Sequence, residues 1–197
     1  MDRLRLESPS LARKADALEY LEEHVAFGSE INGAGGMQRC LDECTYEQWL
    51  IELERRKDEE YARGIGRVPS RTFFLVREKD RRIVGMLNLR CPLTDDDIAY
   101  GASHIGYGIR PSERQKGYNK ANLYLGLEEA RKLGETKVYL ACGVDNVASN
   151  KTVLALGGIL EKTEFNETYD TIDNFYWIDV EEALEKYSDV YGPLAVI

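Results

Sequence analysis

The stretch Ile105-Gly106-Tyr107-Gly108-Ile109-Arg110-Pro111 constrains this chain more than any other. We read His104–Arg110 as a strand, and Pro111 ends it, because proline cannot donate to a ladder and disfavours helix in the residue before it. A short basic turn follows, Ser112-Glu113-Arg114-Gln115-Lys116-Gly117-Tyr118-Asn119, and Lys120–Leu133 then reads as a helix closed by Gly134. A strand that runs through such a turn into a helix aims several backbone N–H groups at one spot near the helix N-terminus. That spot is an anion site. Gly117 lets the backbone approach a phosphate because it has no Cβ, and Arg114 and Lys116 add charge-assisted bonds. A pyrophosphate suits such a turn. The competing reading is a solvated connection between a strand and a helix.

The remaining segments supply the frame. A short strand is expected at Arg3–Glu7. Ser8-Pro9 has the residues of a helix start, and Leu11, Ala15, Leu18, Leu21 and Val25 define one apolar face. Thr45 with Gln48 forms a capping-box pattern, after which Tyr46, Trp49, Leu50, Leu53 and Tyr61 share a face. Gly28–Gly36 lies between these two helices as a loop. Thr72–Arg77 and Ile83–Leu89 read as a hairpin, and Thr94-Asp95-Asp96-Asp97 as a surface loop. Lys137–Cys142 is a compact apolar strand and Val147–Leu156 a helix that stops at Gly157-Gly158. Ile159–Phe165 and Thr171–Val180 form a final antiparallel pair, and Glu181–Tyr187 a short terminal helix. This order points to one mixed α/β domain over residues 1–197, with helices on both faces of one sheet.

Composition narrows the function. The net charge of −9 over 197 residues excludes a general nucleic-acid binder, which needs a basic surface. Against that background, Arg110, Arg114, Lys116 and Lys120 stand with Glu113 as the only acid between residues 110 and 120, so an anionic ligand belongs there. No apolar run approaches the roughly 18 residues of a membrane span, and Met1-Asp2-Arg3-Leu4-Arg5 lacks the features of a secretory signal, so a cytoplasmic address and no membrane partner are expected. Cys40, Cys44, Cys91 and Cys142 are too few and too scattered for a disulfide framework. No second Cys/His pair with zinc-ligand spacing accompanies Cys40 and Cys44, so no metal is expected.

The run from Ile105 to Lys120 resembles the acetyl-CoA motif of the GNAT acetyltransferases, whose pattern is Gln or Arg, two residues, Gly, one residue, then Gly or Ala. Arg114 and Gly117 match it. Asn119 departs from the small last residue, so it either lowers affinity or bonds a phosphate itself. Asn146-Val147-Ala148-Ser149-Asn150, opening a helix that ends at Gly157-Gly158, is similar to the Asn-led segment that follows the fifth strand in this family. The element order matches the family's from about Arg3 to Val180, and the residues from His104 to Arg114 resemble a bacterial subgroup of predicted acetyltransferases. The resemblance implies the GNAT fold, with a central, mostly antiparallel sheet and helices on both faces. It also implies an N-acetyltransferase that uses acetyl-CoA, with Ile109, Arg110, Arg114, Gln115, Lys116, Gly117, Tyr118, Asn119, Asn146 and Ser149 as cofactor-binding residues.

By the same resemblance, the fourth and fifth strands splay apart and the pantetheine arm pairs with Tyr107–Arg110 opposite Lys137–Cys142. The thioester then lies near Tyr107 and Gly108, where a backbone N–H holds the developing oxyanion. An acceptor amine with a pKa near 10 must lose a proton, at a cost of roughly 4 kcal/mol at pH 7. His104 occupies about the place where some relatives carry a catalytic Glu and is the candidate base; the alternative is a half-buried strand histidine bonded to a neighbour. Glu30, Asn88 and Arg90 are candidates to shape the acceptor pocket or to brace the structure around it. Many relatives carry a Tyr acid where this chain has Val153. Tyr107 or Tyr139 then serves, or the thiolate leaves unaided, as its pKa near 8.5 permits. The acceptor is expected to be a small-molecule or peptide amine, and the oligomeric state is open, a homodimer included. The other functional reading is a non-catalytic acyl-CoA-binding or regulatory domain.

Overall fold

The computed structural model describes residues 2–167 and 170–194. It contains seven strands: β1 (Leu4–Glu7), β2 (Ser70–Arg77), β3 (Ile83–Arg90), β4 (Ile105–Ile109), β5 (Lys137–Gly143), β6 (Ile159–Asn166) and β7 (Thr171–Asp179). The helices are α1 (Lys14–Ala26), α2 (Tyr46–Arg55), α3 (Glu59–Gly64), α4 (Asp95–Ala99), α5 (Tyr118–Lys132), α6 (Val147–Leu154), α7 (Val180–Lys186) and α8 (Ser188–Tyr191). The strands form two hydrogen-bonded sheets, β1-β2-β3-β4 and β5-β7-β6, and every pairing in both is antiparallel. The expected sheet is therefore divided where β4 meets β5. No helix among the described residues is long and apolar enough to cross a membrane.

One apolar core lies between the sheets and α5, where Leu87, Leu89, Ile105, Leu123, Leu127, Leu140 and Ile178 meet. The helix α5 shows a weak apolar period because ten of its residues are buried on several sides, Asn122 and Glu128 among them. Its Gly126 is required by close approach: a Cβ there would stand 2.6 Å from Leu87 Cδ1. A second core, with Ala17, Tyr20, Leu21, Trp49, Phe74 and Met86, packs α1 and α2 against the sheet's other face.

Several expectations shift. The first helix does not start at Ser8-Pro9, because a 3-10 turn at Leu11–Arg13 intervenes. Its buried face is Ala17, Tyr20, Leu21 and His24, while Leu11 and Val25 are 60% and 58% exposed. Tyr20 and His24 take those positions with ring centroids 4.6 Å apart, an amphipathic pair that a count of aliphatic residues passes over. The Thr45–Gln48 capping box is present, but Tyr61 lies on the separate helix α3, which Asp58 caps. Thr94–Asp97 is the capping box of α4 rather than a loop, with Asp97 doing the work of the usual Glu or Gln.

Candidate active site

The turn before α5 is anchored from below. Glu113, 3% exposed, accepts from Arg77 of β2 at 2.7 and 3.1 Å and from Lys116 Nζ at 2.7 Å. Tyr118 is buried too; its hydroxyl accepts from Arg77 at 3.2 Å and donates to Asp2 at 2.5 Å. Its hydroxyl therefore serves the anchor. Above the anchor the backbone takes two left-handed residues, Gln115 at φ 63° and Gly117 at φ 80°. The N–H groups of Gln115, Lys116 and Gly117 donate to no acceptor among the described residues. In α5 itself the N–H groups of Tyr118 and Asn119 come before the first helical bond, which Lys120 N–H makes to Gly117 O at 3.3 Å. Unpartnered donors at a helix N-terminus are the kind of group from which an anion nest can be built. Arg114 is exposed, with Nε donating to Ile109 O at 3.2 Å and Nη2 to Ser29 Oγ at 2.5 Å.

The turn follows directly on β4, and on the side of that strand away from β3 the Ile109 carbonyl accepts from Arg114 Nε at 3.2 Å. Arg110 N–H donates to Val84 O at 2.9 Å, and Arg90 N–H to His104 O at 2.7 Å. Bonded and non-bonded pairs alternate along an antiparallel ladder, so Gly106 and Gly108 turn their N–H and C=O groups to β3 while Tyr107 and Ile109 turn theirs toward β5. No ladder bond to β5 takes them up. Of the two backbone N–H groups near the expected thioester, the one facing the gap is that of Tyr107, not Gly108.

On the other face of β4 lies the glycine-rich loop before α2. A Cβ on Gly33 would fall 2.6 Å from Tyr107 Cα, and one on Gly108 would fall 2.6 Å from Asn32 O, so loop and strand touch backbone to backbone. Glu30 is exposed in this loop, its carbonyl 3.0 Å from His24 Nδ1. Arg90 reaches the same region: Nη1 donates to Ser103 O at 2.8 Å and Nη2 would lie 3.4 Å from a Cβ on Gly106. Two expected site residues are elsewhere. Asn88 is buried in the hairpin and donates to Thr72 Oγ1 at 3.0 Å, so it braces the strands rather than lining a pocket. The Arg110 side chain is 1% exposed and turned onto α1, with Glu23 at 2.6 Å from Nε and Glu19 at 2.6 Å from Nη2. Burial opposes the charge on Glu23, yet the Ser112 N–H and Arg110 hold its carboxyl down to about 2. Arg110 is thus neutralised within the fold and gives no cation to the nest.

Across the gap, α6 presents its first turn. Asn146 caps it by accepting from Ser149 N–H at 3.0 Å, and Ser149 Oγ lies 2.8 Å from Tyr107 Oη. Burial raises the Tyr107 phenol above its ordinary range, which keeps it protonated. Asn150, which the sequence does not single out, holds the corner together: Nδ2 donates to Gly143 O and Asn146 O, and Oδ1 accepts from Tyr176 and Asn174. Its only signal is its place four residues after the capping Asn146. Asn119 donates to Thr152 Oγ1 at 3.3 Å, and its Oδ1 is buried without a partner, so its amide faces α6 rather than the nest. Val153 is fully buried. Tyr139 is buried as well and stacks on Phe175, with a ring centroid separation of 5.7 Å.

His104, just before β4, makes hydrogen bonds to β5. It is 4% exposed, its N–H donates to Tyr139 O at 2.8 Å, and its ring Nδ1 accepts the Tyr139 N–H at 2.9 Å. That bond fixes the proton on Nε2, 3.7 Å from Glu135. Burial pushes the imidazole down to about 4. Cys91, His104 and Glu135 bring candidate ligand atoms within 4.8 Å of one another. With Nδ1 accepting from Tyr139, Nε2 carries the ring proton and is a donor rather than a metal ligand.

Residues 36–157, well over half of the chain, match the acetyltransferase (GNAT) family. The chain belongs to the GNAT acetyltransferases. Solved structures place it in the same fold. Ribosomal-protein-S5-alanine acetyltransferase from Vibrio fischeri has a TM-score of 0.69 at 13% identity, covering 92% of this chain and 96% of that one. RimJ of Mycobacterium smegmatis, solved with a CoA-disulfide, has 0.66 at 17%, covering 93% and 87%. Spermidine N-acetyltransferase from Vibrio cholerae, solved with CoA and spermine, has 0.59 at 16%, covering 92% and 98%. No curated protein matches the sequence at a significant level. The divided sheet is the feature of this GNAT chain that the resemblance anticipated, and it leaves the β4 edge open to a ligand.

Proposed function

We propose that this GNAT chain transfers the acetyl group of acetyl-CoA to a primary amine of a small molecule or peptide, by direct attack of the amine on the thioester. What carries this reading is the presence, on one strand–turn–helix segment, of the unpartnered N–H groups of Gln115, Lys116 and Gly117 and of a β4 edge without a ladder partner. The first suits a diphosphate and the second suits the amides of a pantetheine arm. Arg114 and Lys116 add positive charge beside the nest, and no Cβ occupies the space above Gly117, where nothing lies within 4 Å. Asn146 and Ser149 line the opposite wall.

In this reading the Tyr107 N–H receives the charge that develops on the carbonyl oxygen, a fixed dipole that needs no rearrangement during reaction. The hydroxyl pair of Tyr107 and Ser149 supplies the proton for the departing thiolate, a task Val153 cannot perform, and is reprotonated by water, which also takes the proton the attacking amine loses. The acceptor approaches from the side of the glycine-rich loop, where Glu30 attracts a cationic amine and Arg90 shapes the wall. His104 is not the base: its Nδ1 is engaged by Tyr139 and its Nε2 carries a proton. Two of the solved relatives are named for acetylating a ribosomal-protein alanine and spermidine, which supports an amine acceptor. We place the enzyme in the cytoplasm, working without a metal or nucleic acid.

Release of free thiol from acetyl-CoA, measured across polyamines, amino sugars and peptides with free N-termini, tests the proposal. Acceptor-dependent release supports it. Tight acetyl-CoA binding with no release from any amine would instead favour a non-catalytic acyl-CoA-binding domain.

A further inference from the structure

We infer that His104 is a positioning residue, the pin that closes the wedge between β4 and β5 and so sets how deep an acyl-pantetheine arm enters it. The inference rests on the acetyltransferase reading above for what the wedge holds, and on the hydrogen bonds alone for what closes it. Among the described residues, β4 has no ladder partner on its β5 side, and β5 pairs only with β7. Among the described residues, the hydrogen bonds that join the two sheets at this edge are made by His104. The backbone N–H of His104 reaches Tyr139 O at 2.8 Å, and the return bond comes from the ring, Nδ1 accepting the Tyr139 N–H at 2.9 Å. In a parallel pair, as β4 and β5 run, the Tyr139 N–H would go to a main-chain carbonyl two residues before His104; the His104 carbonyl itself is turned to β3, where it accepts from Arg90 N–H at 2.7 Å. The side chain thus replaces a main-chain acceptor and lies in the plane of the sheet.

The surroundings hold the ring in the tautomer this needs. Glu135 lies 3.7 Å from Nε2, and its carboxylate also engages the Cys91 thiol, which burial and the neighbouring charge keep protonated. Arg90 is the cation facing the ring and disfavours a charged imidazole. Protonation of Nδ1 would set two hydrogens against each other at this seam between the sheets. Beyond that seam no ladder pairing joins the two strands among the described residues. Tyr107 lies three residues along β4, about 10 Å away at strand rise, with its main-chain groups free. A ligand pairing with Ile109 and then Tyr107 stops where the seam begins, which places its acyl end at Tyr107.

Two variants separate this role from that of a base. His104→Asn keeps an acceptor at nearly the same place, whereas His104→Leu keeps the volume and removes it. The first readout is hydrogen exchange at the Tyr139 amide, which needs no cofactor. We expect wild type and His104→Asn to be protected and His104→Leu to exchange at least about tenfold faster, the consequence of an orphaned donor at a buried seam. Equal protection in all three proteins would overturn the pin. The second readout is kinetic. His104→Leu should raise KM for acetyl-CoA about tenfold, with a smaller change in kcat and the pH–rate profile unaltered in shape, and His104→Asn should stay within about twofold of wild type. An Asn variant as damaged as Leu, or a profile that loses its acidic limb, would return His104 to a proton-transfer role. Should His104→Leu fail to fold, nitrogen NMR of the wild-type ring decides: a proton on Nε2 from pH 5 to 8 supports the pin, and a proton on Nδ1 or titration near 6.5 overturns it. A wild-type protein that binds no acetyl-CoA would sink the acetyltransferase reading, while amide exchange would still decide what joins the sheets.

Discussion

Tyr107 Oη and Ser149 Oγ lie 2.8 Å apart across the gap between β4 and α6. The pair bridges two segments 42 residues apart in sequence, and it is the hydroxyl couple facing the wall opposite the free β4 edge. If it protonates the leaving thiolate, Tyr107→Phe should lower kcat by about ten- to a hundredfold with KM for acetyl-CoA little changed. Ser149→Ala, which leaves the phenol in place, should cost less. Steady-state kinetics with a fixed acceptor measure both. Equal activity of Tyr107→Phe and wild type would mean that the thiolate leaves unaided.

Gly117 tests the nest. Its φ of 80° suits glycine, and its missing Cβ faces open space. Gly117→Val combines about 1–2 kcal/mol of backbone strain with a branched side chain in the diphosphate's place. We expect acetyl-CoA affinity by calorimetry to fall by more than about tenfold, with the fold kept, because the turn is exposed.

Asn119 tests the departure from the family motif. Its Nδ2 is bonded to Thr152 and its Oδ1 is buried without a donor, so it contributes little that alanine lacks. Asn119→Ala should change stability by less than about 1 kcal/mol and leave acetyl-CoA affinity within about threefold. A large loss of affinity would make Asn119 a phosphate ligand after all.

Acid stability reports on His104. Its folded pKa is depressed to about 4, below the unfolded value near 6.5. The unfolded chain therefore takes up this proton first as pH falls. The stabilisation is complete above about 6.5 and is lost as pH drops toward 4, at most about 3 kcal/mol in all. Denaturant melts of wild type and His104→Asn from pH 7 to 4 should converge by that amount. Parallel curves would mean that the imidazole titrates normally.

Arg110 is a stability residue by this account. Removing it leaves the carboxylates of Glu19 and Glu23 beside a buried vacancy, and Arg110→Ala should cost about 3 kcal/mol in chemical denaturation. Little change would place the guanidinium outside the fold's ion pairs.

The elements flanking the site were legible in the sequence because each carries local punctuation. Pro111 ends β4, Gly117 and Gly134 bracket α5, Thr45 and Gln48 start α2, and Asn146 caps α6. What escaped was set by tertiary partners. Arg110 reads as one more cation of a basic turn, and only its meeting with α1, 87 residues earlier in sequence at Glu23, turns it inward. His104 has the type and strand position of a base; its role is decided by the Tyr139 amide, 35 residues away. The first helix was given the wrong face because its core-facing positions are Tyr20 and His24, whose polar tips hide their apolar bodies from a pattern of aliphatic residues.

The central claim is that acetyl-CoA lies with its diphosphate at the nest and its pantetheine arm along β4. Amide-resolved NMR titration with CoA tests it most directly. The largest shifts are expected at Gln115, Lys116 and Gly117, together with Tyr107 and Ile109, and small ones on α1 and β2. Saturable shifts confined to other residues, or none at millimolar CoA, would contradict it.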